Sequence, residues 1–273
     1  MTVEPGWVPP GVDTGQANIA RVYDYWLGGS NNFRADQDAA RAMIAVEPNI
    51  RAMARANRAF LGRAVRFLAG EAGVRQFLDI GSGIPTGRNV HQVAQDAAPG
   101  SRVVYVEIDE VAVAHSTLLL EGNPDAAIVQ ADLRDPAKIL AAPQTRELID
   151  FSQPVGLLLV PVLHFLEDGD DPGQVLADLR GALAPGSYLV LSHATGEAKP
   201  DVASAANTVY MNKVAARGDV RTRDKIRQFF DGFALVDPGL VYLTQWRPGP
   251  GDEVPANPAS LWLLGGVGRL AGA

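Results

Sequence analysis

The spacing of hydrophobic residues changes once along the chain, near Gly73. Before that point apolar side chains recur every three or four residues, as in MIAVEPNIRAMARANRAFLGRAVRFLA, which is the period of an amphipathic helix. The pattern predicts a helical segment over residues 18–72, broken at the run Gly28-Gly29-Ser30-Asn31-Asn32. Residues 1–17 are rich in proline and glycine and have no periodicity, so they are predicted to form an N-terminal arm.

After Gly73, short apolar runs alternate with amphipathic stretches, which is typical of repeated β-α units around a parallel sheet. Strands are predicted in RQFLDIG, RVVYVEI, AAIVQAD, VGLLLVPVL and SYLVLSHA, with FALVDP and ASLWLLGGV as a closing pair. Helices are predicted at 86–98, 111–121, 136–142 and 172–184, in DVASAANTVYMNKVAARG, and after a capping Thr222. Residues 73–273 are therefore predicted to form an α/β domain with helices on both faces of a mostly parallel sheet.

Composition and charge exclude several classes of protein. Hydrophobic residues make up 47% of the 273 residues, which indicates a globular chain with a substantial core. The absence of cysteine excludes disulfides, cysteine-ligated metal sites and thiol nucleophiles. A net charge of −7 argues against a protein that mainly grips a nucleic-acid backbone. With no secretory signal and no long apolar run, we expect a cytoplasmic protein that does not enter a membrane.

The run FLDIGSGIPTG places a carboxylate and two glycines at the end of the first predicted strand. Gly81, Ser82 and Gly83 can form a tight turn whose amides a ligand approaches, although such turns also occur for packing alone. A dinucleotide fingerprint needs its third glycine one place earlier than Gly87. Asp79 also has the wrong charge for a pyrophosphate but suits an ammonium group. These features favour S-adenosylmethionine (SAM) over a dinucleotide.

Two more acids lie at the ends of the next two predicted strands. Glu107, beside Ile108, is positioned to accept hydrogen bonds from ribose hydroxyls. Asp132 can accept from an adenine amino group, and the Leu133 N–H can donate to the ring. Each acid alone could be a solvated or helix-capping carboxylate. Because the carboxyl ends of parallel strands meet in one crevice, the three acids together predict a single SAM site.

The motifs FLDIGSG, YVEID and ADLRDP resemble the cofactor motifs of class I SAM-dependent methyltransferases. ARVYDYWLGGSNNF, LLLVPVLHFLEDGDDP and FFDGFALVDPGLVYLTQWRP resemble an actinobacterial family of methyltransferase-like proteins with no assigned substrate. The resemblance runs from about Asn18 to Arg269 and implies a Rossmann-like, seven-stranded sheet with SAM as cofactor. Two departures are Glu107, where an aspartate is usual, and Glu110, where a proline commonly follows.

Methyl transfer depends mainly on alignment of the acceptor with the methyl group, and only sometimes on a base. Of the four histidines, His164 and His193 follow predicted strands and face the expected site. His164 is predicted to contact the acceptor as base or orienting group, although strand-end imidazoles often bond only to backbone. No histidine has a ligand-spaced partner, so no metal is predicted.

The segment over residues 18–72 has the composition of a lid, with aromatic rings, a glycine hinge and two amides. The residues predicted to line the substrate pocket are Tyr23, Tyr25, Asn31, Asn32 and Arg55. The alternative is that the aromatic residues of this segment only pack onto the α/β domain.

The sequence thus predicts methyl transfer from SAM to a small-molecule acceptor. One alternative is a non-enzymatic SAM sensor, in which the protein's own side chains fill the acceptor site. Another is a nicotinamide-dependent oxidoreductase, which the glycine spacing disfavours. The sequence does not predict the acceptor or the oligomeric state.

Overall fold

An eight-stranded sheet organises the chain in the computed structural model, which describes residues 12–214 and 218–272. The strands are β1 (Gln76–Ile80), β2 (Arg102–Glu107), β3 (Ala126–Gln130), β4 (Gly156–Leu159), β5 (Tyr188–Ala194), β6 (Phe233–Leu235), β7 (Val241–Tyr242) and β8 (Leu263–Leu270). Their order is β3-β2-β1-β4-β5-β8-β6, and β7 pairs with β8. Neighbours among β1 to β5 run parallel, whereas β8 is antiparallel to β5, β6 and β7.

The described parts of the chain contain ten α-helices, of which the first three precede β1 and the others lie between strands. They are α1 (Ile19–Leu27), α2 (Arg34–Val46), α3 (Ile50–Arg66), α4 (Val90–Ala97), α5 (Glu110–Leu119), α6 (Pro136–Ala141), α7 (Pro143–Leu148), α8 (Pro172–Gly181), α9 (Pro200–Lys213) and α10 (Arg223–Gln228). None of these helices is both long and apolar enough to span a membrane.

Two hydrophobic cores lie on opposite faces of the sheet because successive side chains of a strand point to opposite sides. Phe77 of β1 belongs to the core beneath α1 to α4 and α9, whereas its neighbour Leu78 belongs to the core beneath α6, α7, α8 and α10. All five residues of β1 are buried. Burial on both faces explains why the central strands are almost continuously apolar in sequence. The predicted α/β class with helices on both faces is confirmed.

The predicted break after the first helix is also confirmed. Gly28 caps α1 in a left-handed conformation, with φ of 86°. The carboxylate of Asp24 accepts hydrogen bonds from the Asn31 amide and the Asn32 side chain. A Cβ atom at Gly29 would lie 2.0 Å from Asp24 Oδ1, so this position excludes any side chain. The glycine and asparagine run is therefore a turn closed around a buried acid.

Several boundaries differ from the sequence-based expectation. The sheet has eight strands rather than seven, because β7 adds two residues that are too short to produce a pattern. The helix predicted from residue 86 begins only at Val90, after a segment that contains Pro85 and Gly87. Residues 1–11 of the predicted arm and 215–217 of the predicted helix lie outside the described residues.

Candidate active site

A cavity of about 860 Å³ lies at the carboxyl ends of β1 to β5, between the sheet and helices α1, α3 and α9. Its sheet side is formed by residues at or just after the ends of these five strands: Gly81, Glu107, Asp132, Val162 and Ala194. The strand order reverses between β1 and β4, and ligands of open α/β sheets bind at such reversals. The volume is in the range of about 300 to 1,000 Å³ that is usual for small-molecule sites.

The glycine turn after β1 is folded back onto β2. Gly81 and Gly83 have φ values of 72° and 69°, which L side chains rarely adopt. The Gly81 and Ser82 amides donate to the Val106 carbonyl over 2.8 and 3.2 Å, and the Gly83 amide donates to Glu107 Oε2 over 2.8 Å. The amides expected to cradle a ligand are thus already bonded within the protein. The turn instead presents the Ser82 hydroxyl, which is buried and unpartnered among the described residues.

Glu107 holds the glycine turn against the end of β2. Its Oε1 accepts hydrogen bonds from the Ile108 and Asp109 amides over 2.8 and 3.0 Å, in addition to the bond from Gly83. Burial raises the pKa of this carboxyl, and the three amide donors oppose the rise. Since a carboxylate has about four acceptor sites, capacity remains for a ligand hydroxyl. Glu107 therefore both lines the cavity and holds the glycine turn in place.

Asp79 lies one layer behind the glycine turn. It is 2% exposed and borders a separate space of about 10 Å³ with Arg58, Ser82 and Gly83. Such a space is about one water molecule in size. Burial raises the pKa of Asp79 to about 7, while Arg58 lowers the pKa and Glu107 raises it further. The predicted partner of the cofactor ammonium is thus close to the turn but not in the lining of the large cavity.

The residues predicted to meet the adenine are at the β3 side of the cavity. Asp132 forms an ion pair with Arg134 over 2.7 Å. The pKa of Asp132 is lowered, because the hydrogen bonds from Arg134 outweigh the opposing effect of burial. The Leu133 N–H donates to no group in the described part of the chain. Ile108 is 51% exposed and lines the cavity, so its apolar surface is available to a flat ring.

His164, which follows β4, also lines the cavity. Its Nδ1 is buried and has no partner within the described residues. Burial and the nearby Arg221 lower the pKa of this imidazole to about 4, so the ring is neutral near pH 7. In contrast, His193 bonds to the Ala194 carbonyl through Nδ1 and to Arg221 through Nε2, and both of its nitrogens are occupied.

Four of the five residues predicted to line the substrate pocket, Tyr25, Asn31, Asn32 and Arg55, lie outside the cavity lining. Tyr25 packs beneath the guanidinium groups of Arg41 and Arg51. Asn31 and Asn32 bond to Asp24, which draws them into the turn after α1. The two asparagines do not reach the cavity because the buried Asp24 carboxylate accepts a hydrogen bond from each of them.

On α3 the cavity is lined by Arg58 and not by the predicted Arg55, which is exposed. Arg58 lies four residues after Ala54 and three before Leu61, both of which are buried, so it borders the apolar face of the helix. Its guanidinium donates to the Thr86 and Arg88 carbonyls over 3.2 and 3.3 Å. The helical periodicity of the sequence therefore distinguishes Arg58, beside the apolar face of α3, from the exposed Arg55.

The other half of the cavity is an aromatic chamber formed by Tyr23, Trp26, Met53, Asn207, Tyr210 and Trp262, with His164 at its sheet side. Tyr23, from the predicted set, donates to the Ala54 carbonyl over 3.1 Å. Asn207, Tyr210 and Trp262 were missed in the sequence analysis. The helical pattern around residues 200–213 was visible, but nothing local showed which face of α9 meets the cavity.

A buried acid fixes one wall of the aromatic chamber. Glu47 Oε2 accepts hydrogen bonds from Trp262 Nε1 over 3.0 Å and from Lys199 Nζ over 2.7 Å. Glu47 follows α2, and Lys199 immediately precedes α9. The contact therefore holds the start of α9 and the Trp262 indole against the helical segment.

Comparison with known proteins identifies the family. The sequence profile described as S-adenosyl methyltransferase matches residues 5–271. The chain belongs to this family of methyltransferases. It is a SAM-dependent methyltransferase, and SAM is its cofactor. No curated protein matches the sequence.

Two solved structures resemble the methyltransferase closely. A methyltransferase candidate from Thermobifida fusca is 40% identical, with a TM-score of 0.92, and covers 98% of this chain and 100% of its own. A DUF574 family protein from Streptomyces avermitilis is 40% identical, with a TM-score of 0.90, over 94% of this chain and 98% of its own. Human N-acetylserotonin methyltransferase, in complex with SAM, has a TM-score of 0.50 at 12% identity over 94% of this chain and 64% of its own, a likeness of fold alone.

The residues of the cavity fit SAM. Nothing lies within 4 Å of where a Cβ atom of Gly83 would be, so the turn leaves open space there. The Ser82 hydroxyl, which has no partner among the described residues, and the exposed Ile108 lie at the same strand ends. The acids Glu107 and Asp132 border the same space, and the Leu133 N–H is free to donate.

Gly81→Ala is expected to destabilise the protein more than Gly83→Ala. Both substitutions impose a left-handed backbone on alanine, which costs about 1 to 2 kcal/mol. Only at Gly81 would the new Cβ also meet Val162 Cγ2, at 2.4 Å, whereas at Gly83 nothing lies within 4 Å. Urea unfolding of the two variants measures the difference, and equal losses of unfolding free energy would show that the contact with Val162 is readily relieved.

Asp79→Asn is expected to stabilise the SAM-free protein at about pH 8, by on the order of 2 to 4 kcal/mol, and much less near pH 4. The folded pKa of Asp79, about 7, is above that of an unfolded aspartate, so its contribution to stability is full at low pH and is lost as the pH rises to about 7. Urea unfolding at the two pH values tests this. Asp132→Asn is the matched control. Because the pKa of Asp132 is lowered, removal of this carboxylate is not expected to stabilise the protein at pH 8. A pH-independent effect of Asp79→Asn would contradict the assignment.

Proposed function

We propose that this methyltransferase transfers the methyl group of SAM to a small molecule held in the aromatic chamber. The observation that carries the proposal is the continuity of the cavity, whose lining runs from the glycine turn and Glu107 to Tyr210 and Trp262. One ligand bound at the turn and a second in the chamber would therefore share one continuous space. A SAM sensor would be expected to fill the chamber with its own side chains, so the free volume supports catalysis.

The charges of the cavity favour a small acceptor over a nucleic acid. Arg21, Arg58 and Arg134 are the cations among the described lining residues. Arg21 lies 3.6 Å from both Asp36 and Asp109, and Arg134 is paired with Asp132. Binding of a phosphate backbone requires several unpaired cations on an accessible surface. A single arginine without an acid partner does not provide such a surface.

When bound, SAM supplies an electrophilic methyl group on a sulfonium. The adenosine part of SAM is proposed to be held by Ser82, Glu107, Ile108 and Leu133. Asp132 can accept a hydrogen bond from the adenine amino group once Arg134 turns away. This movement costs little because Arg134 is exposed and exposed ion pairs are weak. Asp79 is proposed to attract the ammonium through the small space behind the turn. Arg58 is proposed to bind the carboxylate of SAM. It has no acid within ion-pair distance in the described residues, and it lies beside both Asp79 and the cavity.

His164 is proposed to orient the acceptor. A catalytic base works best when its pKa is near the working pH. The pKa of His164 is about 4, so near pH 7 the ring would not hold a proton taken from the acceptor. The neutral ring can still form a hydrogen bond through the unpartnered Nδ1. Alignment of the acceptor is the larger requirement of methyl transfer, and this hydrogen bond provides it.

Methyl transfer is tested with SAM labelled in its methyl group and an extract of the source organism, divided by ultrafiltration into small-molecule and macromolecular fractions. Label is expected in a product of the small-molecule fraction. Ala206→Trp fills the chamber, since Ala206 is buried and lines the cavity, so this variant is expected to bind SAM but to transfer no label. Label only in the macromolecular fraction, or in neither fraction, would contradict the proposal.

The role of Arg58 is tested by calorimetry with SAM and decarboxylated SAM. The wild-type protein is expected to bind SAM at least about tenfold more tightly than decarboxylated SAM. The reason is that a charge-assisted hydrogen bond from Arg58 to the carboxylate of SAM contributes about 1.5 to 3 kcal/mol. Arg58→Gln should abolish this preference, and Arg55→Gln, one helical turn away and exposed, should retain it. Loss of the preference in Arg55→Gln alone would assign the carboxylate to Arg55 and contradict the role of Arg58.

A further inference from the structure

We infer that the methyl acceptor is an uncharged, ring-bearing molecule with a hydrogen-bonding group that meets Asn207 and His164. Amino acids, phosphate esters and other ions are excluded from the chamber on this inference. The inference rests on the proposed function, because it concerns the molecule that the aromatic chamber holds. Its evidence is the chemistry of the chamber's walls.

Two buried polar atoms of the chamber have no hydrogen-bond partner among the described residues. Asn207 Oδ1 and His164 Nδ1 are buried, and neither forms a hydrogen bond within the described residues. Buried polar groups are nearly always paired in folded proteins, and leaving one unpaired is costly. The two atoms come from α9 and from the segment after β4, and both line the same cavity. A hydroxyl, amide or ring N–H of an acceptor would satisfy them.

The chamber's own ionisable groups are uncharged near pH 7. Burial raises the pKa of Tyr23 to about 12, with Arg58 and Asn57 opposing the rise, and burial raises the pKa of Tyr210 well above its usual range. His164 is neutral because its pKa is lowered. An ion placed among these groups would lose its hydration and find no counter-ion, which is strongly unfavourable.

The two indoles of the chamber offer only their rings. Trp26 Nε1 donates to the Ala40 carbonyl over 3.4 Å, and Trp262 Nε1 donates to Glu47. Their polar ends are thus directed away from the cavity, and with Tyr23 and Tyr210 they leave aromatic surfaces facing it. Aromatic walls with few polar groups favour a planar, apolar ring as ligand.

Other residues that line the cavity are charged, among them Arg58 and Asp219. Arg58 is close enough to Tyr23 to lower its pKa, but its guanidinium is held at the glycine-turn side by the Thr86 and Arg88 carbonyls. On the opposite side, Asp219 is 43% exposed and lies 3.6 Å from Arg221. If Arg58 served the acceptor and not the cofactor, the acceptor would be an anion, and the experiment below separates these two cases.

The test uses three probes with the same phenol ring: para-ethylphenol, which is neutral, tyramine, which is a cation, and para-hydroxyphenylacetate, which is an anion. Each is titrated by calorimetry into wild-type protein saturated with S-adenosylhomocysteine. We expect para-ethylphenol to bind at least about tenfold more tightly than either ion. Tighter or equal binding of an ion, or no binding of para-ethylphenol up to its solubility limit, would overturn the inference.

Asn207→Asp places a carboxylate in the chamber and is expected to reverse the order of tyramine and para-ethylphenol. Ser204→Asp, on an exposed position of the same helix, is the control and should preserve the wild-type order. If Asn207→Asp does not fold, the three wild-type titrations still decide the question. Failure of S-adenosylhomocysteine to bind would instead count against the proposed function, so the two failures are distinguishable.

Discussion

Three backbone amides converge on the carboxylate of Glu107, and the proposed cofactor half of the cavity depends on this contact. One amide belongs to Gly83, in the turn after β1, and two belong to the loop after β2. The hydrogen bonds stabilise a buried acid and at the same time fix the position of a left-handed glycine turn. The parallel sheet brings the two strand ends together, and the carboxylate sets the distance between their loops.

A second set of charges joins the helical segment to the same edge of the sheet. Arg21 of α1 is 5% exposed and lies between Asp36 of α2 and Asp109, which caps α5. Because these groups are buried together, α1 cannot move far from the loop after β2 without leaving a charge unpaired. The cavity exists only between these two parts of the chain, so this contact contributes to its shape without touching its aromatic walls.

The sequence predicted most features that depend on neighbouring residues. The β-α alternation, the break at Gly28, the Thr222 cap and the acids after β1 to β3 all follow from local patterns, and the structure contains them. Features set by helix rotation and distant contacts were not predictable in this way. Arg58 replaces Arg55, Asn207 and Tyr210 come from the far end of the chain, and the turn's amides bond to β2. A pattern of residues shows which side of a helix is apolar, but not what the helix covers.

The two halves of the cavity are built from different kinds of structure. Loops that follow β1 to β3 form the cofactor half, whereas helices α1, α3 and α9 and the Trp262 indole, anchored by Glu47, form the chamber. Substitutions on α9 can therefore remodel one half while the backbone of the other remains intact. Divergence within such a family would then change which acceptor is recognised and conserve the donor chemistry, since the two requirements fall on separate stretches of the polypeptide.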